Sequence, residues 1–269
     1  MTAINSGIDA LAPVDGLSVT LADGVLSVTI DRPDSLNSLN TGVLAGIADA
    51  MEGAARDTRV RAVRLGGSGR GFSSGAGISE DDATDEMPTE IIVEANRAIR
   101  AIVALPRPVV AVVQGPAAGV GVSLALACDL VLASDKAFFL LAFTKIGLMP
   151  DGGASALVAA AVGRIRAMRL ALLAERLPAA DALEWGLVSA VYPAENFDAE
   201  VDKALAGLLA GPAAAFAKTK HAINSATLTE LDATLDREYV GQSILLNAHD
   251  FREGTRAFQE RRAPKFTDS

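Results

Sequence analysis

Apolar and polar residues alternate across 17–21 and again across 25–30, with Asp23 and Gly24 between them. That pattern predicts two strands joined by a tight hairpin turn. From residue 40 the period changes. Val43, Leu44, Ile47 and Met51 recur at helical spacing behind Asn40, a capping residue type, and predict a helix running to about Arg56. A strand at 60–65 and an amphipathic helix at 89–104 follow. Residues 108–113 form an unbroken apolar run, as expected of a strand buried on both faces. The pattern then predicts a helix at 119–128 and strands at 130–133 and 137–141. Beyond about residue 153 it is almost purely helical, and Gly211-Pro212 is its clearest break. Strands alternating with helices predict an α/β layer architecture. Residues 1–14 read as a loose tail, 15–210 as a core domain and 211–269 as a C-terminal helical region. No internal repeat at a fixed period is present.

Composition narrows the picture. The chain has 269 residues, 50% hydrophobic and 21% charged, ample for a large core. Its net charge of −9 argues against nucleic acid and anionic membranes as partners. No apolar stretch is long enough to span a bilayer. The first residues show no basic segment followed by a hydrophobic one, so the expected location is cytoplasmic. Cys128 is the only cysteine, which rules out an internal disulfide, and its apolar surroundings predict a buried inert thiol. His221 and His249 are the only histidines and have no ligand spacing around them, so no metal site is expected.

Two small-residue loops carry the candidate chemistry. One is Gly-Gly-Ser-Gly-Arg-Gly-Phe-Ser-Ser-Gly-Ala-Gly at 66–77, the other Val-Gln-Gly-Pro-Ala-Ala-Gly-Val-Gly at 113–121. Each leaves an apolar strand and enters a helix-compatible segment. Such loops expose backbone N–H groups, and two aimed at one point stabilise negative charge on a carbonyl oxygen. The second loop also opens a helix, whose dipole adds to that effect. A nucleotide fingerprint is excluded, because Phe72, Glu80 and Leu124 stand where its third glycine belongs.

These loops, together with Arg-Pro-Asp-Ser-Leu-Asn-Ser-Leu-Asn at 32–40, the run 115–129, Ile-Gly-Leu-Met-Pro-Asp-Gly-Gly at 146–153 and the segment 253–266, resemble the crotonase (enoyl-CoA hydratase/isomerase) superfamily. The resemblance holds in order and spacing over about residues 15–266. It implies a spiral of ββα units with a C-terminal helical region, and an acyl-CoA substrate with no separate cofactor. It also implies a homotrimer or homohexamer whose last helices pack against a neighbouring subunit and help cover the acyl-CoA. The oxyanion donors it implies are the N–H groups of Ala76 and Val120, with Ser74, Gly75, Gly77, Ile78 and Gly119 around the thioester. Gly77 departs from the pattern, since most relatives carry Asp there.

Hydratases of this family use two glutamates to position water and move protons. The matching positions here hold Ser123 and Phe143, neither of which can do that work. The remaining acid is Asp151, before Gly152, where several isomerases of the family place a single catalytic carboxylate. Asp151 has two readings: cap of a helix at about 152–161, or cap and catalytic base together. Dehalogenation would also need a histidine near the first loop, and 75–90 has none. Glu80, Asp81, Asp82, Asp85 and Glu86 read as a solvated loop or as a source of one acid folding over the substrate. Trp185 reads as helix packing. Arg32, Lys145, Lys265 and the arginines 252, 256, 261 and 262 are candidates to meet CoA phosphates, or plain exposed charges. The reaction expected first is enoyl-CoA isomerisation through abstraction of a C2 proton. The alternatives are hydration with atypical acid/base residues and non-catalytic acyl-CoA binding.

Overall fold

A computed structural model describes residues 7–76 and 89–267. In chain order the elements are β1 (Leu17–Ala22), β2 (Val25–Ile30), α1 (Thr41–Arg56), β3 (Ala62–Gly67), α2 (Glu90–Ala104), β4 (Val109–Val113), β5 (Pro116–Ala118), α3 (Val120–Ala127), β6 (Leu130–Ser134) and β7 (Phe138–Leu140). There follow α4 (Ala154–Leu173), β8 (Leu177–Pro178), α5 (Ala179–Trp185), β9 (Ala190–Tyr192), α6 (Phe197–Ala210), α7 (Ala213–Thr227), α8 (Leu231–Leu246) and α9 (His249–Gln259).

The hairpin forms as its turn residues predict. Asp23 and Gly24 both have positive φ, the geometry of a two-residue turn matched to strand twist. Asn40 caps α1 by accepting a hydrogen bond from the Val43 N–H at 2.8 Å. One six-stranded sheet runs in the order β1-β2-β3-β4-β6-β9, antiparallel only at the β1–β2 hairpin. A second, three-stranded sheet has the order β5-β7-β8.

The unbroken apolar run of β4 is explained by its two covered faces. Val109, Ala111 and Val113 enter the main core with Leu44, Ile47, Met51, Ile99 and Ile102 of α1 and α2. Val110 and Val112 point the other way and pack with Phe197, Val201 and Leu205 of α6. Helices thus cover both faces of a largely parallel sheet.

Three expectations need adjustment. The strand expected at 60–65 lies two residues later, because β3 pairs Val25 with Ala62 and Ile30 with Gly67. The strand β5 falls inside the second small-residue loop, where its Pro and Ala residues give no strand signal. The stretch after 153 is almost purely helical as expected, but it also contains β8 and β9, short strands that complete the two sheets. Two- and three-residue strands are set by long-range pairing and carry too few positions for a period to show.

Candidate active site

The two small-residue loops run side by side. Ser73 pairs in parallel with Ala117, and the Ala118 N–H donates to the Ser73 carbonyl at 2.8 Å. The first loop is pinned from below by Asn37, fully buried, whose amide donates to the carbonyls of Ser68 and Gly71. Gly75 has φ +88°, and a Cβ there would lie 2.9 Å from the Ala118 carbonyl oxygen and 3.3 Å from the Gly119 Cα. Only glycine permits that conformation and that approach. Continuing the Ser73–Ala117 register sets Ala76 beside Val120, the first residue of α3. The neighbouring groups are used: the Leu39 N–H donates to Gly75 and the Gly119 N–H to Leu140. Among the described residues, the N–H groups of Ala76 and Val120 donate to none. Two such groups side by side, one at a helix N-terminus, form the arrangement that holds an oxyanion.

Both loops open into a cavity of about 80 Å³. Ser74, Gly75 and Ala76 line it from the first loop, Gly119 and Val120 from the second. Apolar walls come from Ile91 and Ile92 of α2, from the turn holding Phe143 and Ile146, and from Leu148. Gln242 and Leu246 of α8 and Phe251 of α9 close it from the same chain, where the resemblance expects the last helices against a neighbouring subunit. Asp151 is the one carboxylate among the described lining residues.

Asp151 is 6% exposed. Burial pushes its carboxyl pKa up to about 7; the Gln242 hydrogen bond opposes this and the nearby Glu238 charge adds to it. Its Oδ2 accepts from the Gln242 Nε2 at 2.8 Å, and its Oδ1 has no hydrogen-bond partner among the described residues. The side chain does not cap α4, contrary to both sequence readings. Gly152 and Gly153 both have positive φ, and Gly153 takes the cap position without a side-chain bond. The N-terminus of α4 is satisfied instead by Glu238 of α8. One oxygen of Glu238 accepts from the Gly153 N–H at 2.6 Å, the other from the Ser155 N–H at 2.8 Å.

The other sequence candidates divide. Phe143 lines the cavity. Ser123 is fully buried behind it and donates to the backbone carbonyl of Asp151 at 2.9 Å, while Gly152 packs on Ser123. Arg32 lies outside the lining, its guanidinium donating to the carbonyl and hydroxyl of Ser38. Lys265 is exposed on the segment after α9, its backbone N–H held by Glu253. Arg262 is engaged by Glu253 and Glu260. Gly77, Ile78 and the acids at 80, 81, 82, 85 and 86 lie outside the described residues. Cys128 is buried, with burial pushing its thiol far above the ordinary range. Trp185 packs beneath the guanidinium groups of Arg166 and Arg169.

Glu238 and Gln242 are the site residues that the sequence reading missed. A signal existed: Leu231, Thr234, Leu235, Glu238 and Gln242 form one buried stripe on α8, at helical spacing, in which a charged residue and an amide replace apolar ones.

A sequence model of the enoyl-CoA hydratase/isomerase family matches residues 20–269. The chain is 38% identical over 249 residues to the 1,2-epoxyphenylacetyl-CoA isomerase of Escherichia coli, covering 91% of this chain and 95% of that one. It is 34% identical over 250 residues to a trans-2-decenoyl-[acyl-carrier-protein] isomerase of Streptococcus mutans, covering 91% and 95%. Among solved structures, an enoyl-CoA hydratase from Mycobacterium avium subsp. paratuberculosis superposes with a TM-score of 0.91 at 72% identity, covering 95% of this chain and all of that one.

Proposed function

Because the chain belongs to the enoyl-CoA hydratase/isomerase family, we propose that it moves a double bond within an acyl-CoA, from C3=C4 to C2=C3. In this reading the thioester oxygen sits between the Ala76 and Val120 N–H groups. The ionised Asp151 removes a proton from C2, and the electron pair passes into the dienolate held by those two donors. Asp151 then returns the proton at C4, the double bond re-forms between C2 and C3, and the carboxylate is regenerated. The step balances with no oxidant, water or further cofactor.

The observation that carries the proposal is that Asp151 is the one carboxylate among the described residues lining the cavity. Asp151 shares a mostly apolar cavity with both N–H groups, and burial brings its pKa near neutrality, where a general base works best. Ser123 and Phe143 offer no second acid/base pair for activating water. Two of the relatives described above are isomerases by name. The hydratase name of the superposed structure favours a second reading, hydration with Asp151 as sole acid/base.

Mass analysis of the product from a 3-enoyl-CoA and from a 2-enoyl-CoA separates the two. Isomerisation leaves the mass unchanged and shifts the double bond. A gain of one water from the 2-enoyl-CoA would establish hydration, and tight binding without product would indicate an acyl-CoA binding protein.

The proposal extends to assembly as a homotrimer or a pair of trimers. Ile165, Leu172 and Leu173 of α4 and Val240 and Ile244 of α8 are each at least 60% exposed, an apolar surface that further copies of the chain would cover.

A further inference from the structure

We propose that Glu238 and Gln242, one turn apart on α8, are positioning residues that divide between them the task of keeping Asp151 available as a base. Glu238 takes over the α4 N-terminus, and Gln242 holds one carboxylate oxygen. The inference rests on the isomerase reading for its purpose, but its geometry is independent of the reaction.

An aspartate just before a helix ordinarily turns its carboxylate onto the first free N–H groups. Here those N–H groups, of Gly153 and Ser155, are both occupied by Glu238, which is 1% exposed. The carboxylate of Asp151 is therefore spared the hydrogen bonds that would make it a weak base. Gln242, 2% exposed, then fixes it in place. The Gln242 Oε1 accepts from the Met149 N–H at 3.2 Å, and a backbone N–H can only donate. That contact settles the amide orientation, so Nε2 is the group facing Asp151 Oδ2. The remaining oxygen, Oδ1, keeps no partner among the described residues.

The electrostatic consequences of the two neighbours are opposite. Gln242 donates to the ionised carboxylate and favours it, whereas the charge of Glu238 disfavours it. The other cavity walls, from α2, α9, the two loops and the turn at Phe143, present no charged side chain among the described lining residues. Among the described residues, Glu238, behind the cavity wall, is thus the charged group that acts on Asp151.

The test is titration of the Asp151 carboxyl carbon by ¹³C NMR in the full chain, its signal identified by its loss in Asp151→Asn. Gln242→Leu should move the midpoint up by about one to two pH units. Glu238→Gln should move it down by about one. If Gln242→Leu does not fold, Gln242→Asn, too short to reach Oδ2 and the Met149 N–H together, carries the same upward expectation. Opposite shifts are a signature that general loosening of α8 would not produce. Midpoints that stay within 0.3 units or so of wild type, or that move in the same direction, would overturn the proposal. In turnover, Gln242→Leu should lower kcat at least about tenfold with KM nearly unchanged. Opposite NMR shifts in a chain that does not isomerise 3-enoyl-CoA would sustain the positioning pair and reject the isomerase reading.

Discussion

In the proposed reaction Asp151 serves as the base because of where it sits. Its carboxyl holds a proton up to about pH 7 in the folded chain, whereas an aspartate in an unfolded chain titrates near pH 4. Between those values the folded state binds more protons, so stability falls as pH rises. The contribution is fully present below about pH 4 and is lost as pH rises through about 7, by roughly 4 kcal/mol at most. Asp151→Asn removes the titration. Its melting temperature should therefore exceed that of wild type by several degrees at pH 8, and the gain should vanish near pH 4. Melting curves offset equally at all pH values would contradict this. The position of Asp151 is legible in the motif at 146–153, but its local role is not. An Asp before two glycines reads as a cap, and only a residue 87 positions away, Glu238, makes it something else.

At the level of elements, local rules account for the hairpin and for α1, whose turn and cap depend on adjacent residues. The two loops are legible as glycine-rich turns. Their pairing is not, because the Ser73–Ala117 bridge depends on β3 and β4 lying next to each other. That pairing makes Gly75 a sensitive position. Gly75→Ala forces a left-handed φ on a residue with a Cβ and presses it against the Ala118 carbonyl. The strain should displace the Ala76 N–H and lower kcat/KM about a hundredfold or more, as loss of an oxyanion donor does. The cost in stability should be only about 1–3 kcal/mol. A variant with wild-type kcat/KM would show that the loop does not hold the reacting oxygen.

On the scale of the whole molecule, α8 and α9 fold back on their own core. Gly254 of α9 lies against the backbone of Ile146, and Gln242, Leu246 and Phe251 wall the cavity. The buried stripe of α8 mixes Leu231 and Leu235 with Thr234, Glu238 and Gln242, so the sequence shows no clean apolar face and does not name the partner it packs on. The opposite, exposed side of the same helix, with α4, carries the proposed interface. Ile165→Glu combined with Ile244→Glu should convert the assembly to monomers in sedimentation, with the fold retained by circular dichroism. A wild-type chain that sediments as a monomer would remove the proposed trimer.

The central claim is that one carboxylate and two backbone N–H groups suffice for the chemistry. The most direct measurement is turnover of a 3-enoyl-CoA by wild type and by Asp151→Asn, with identification of the product. Wild type should yield the 2-enoyl-CoA isomer, and the variant should be slower by about 10²–10⁴-fold with a similar KM. A variant that isomerises at the wild-type rate would contradict the assignment of Asp151 as the base.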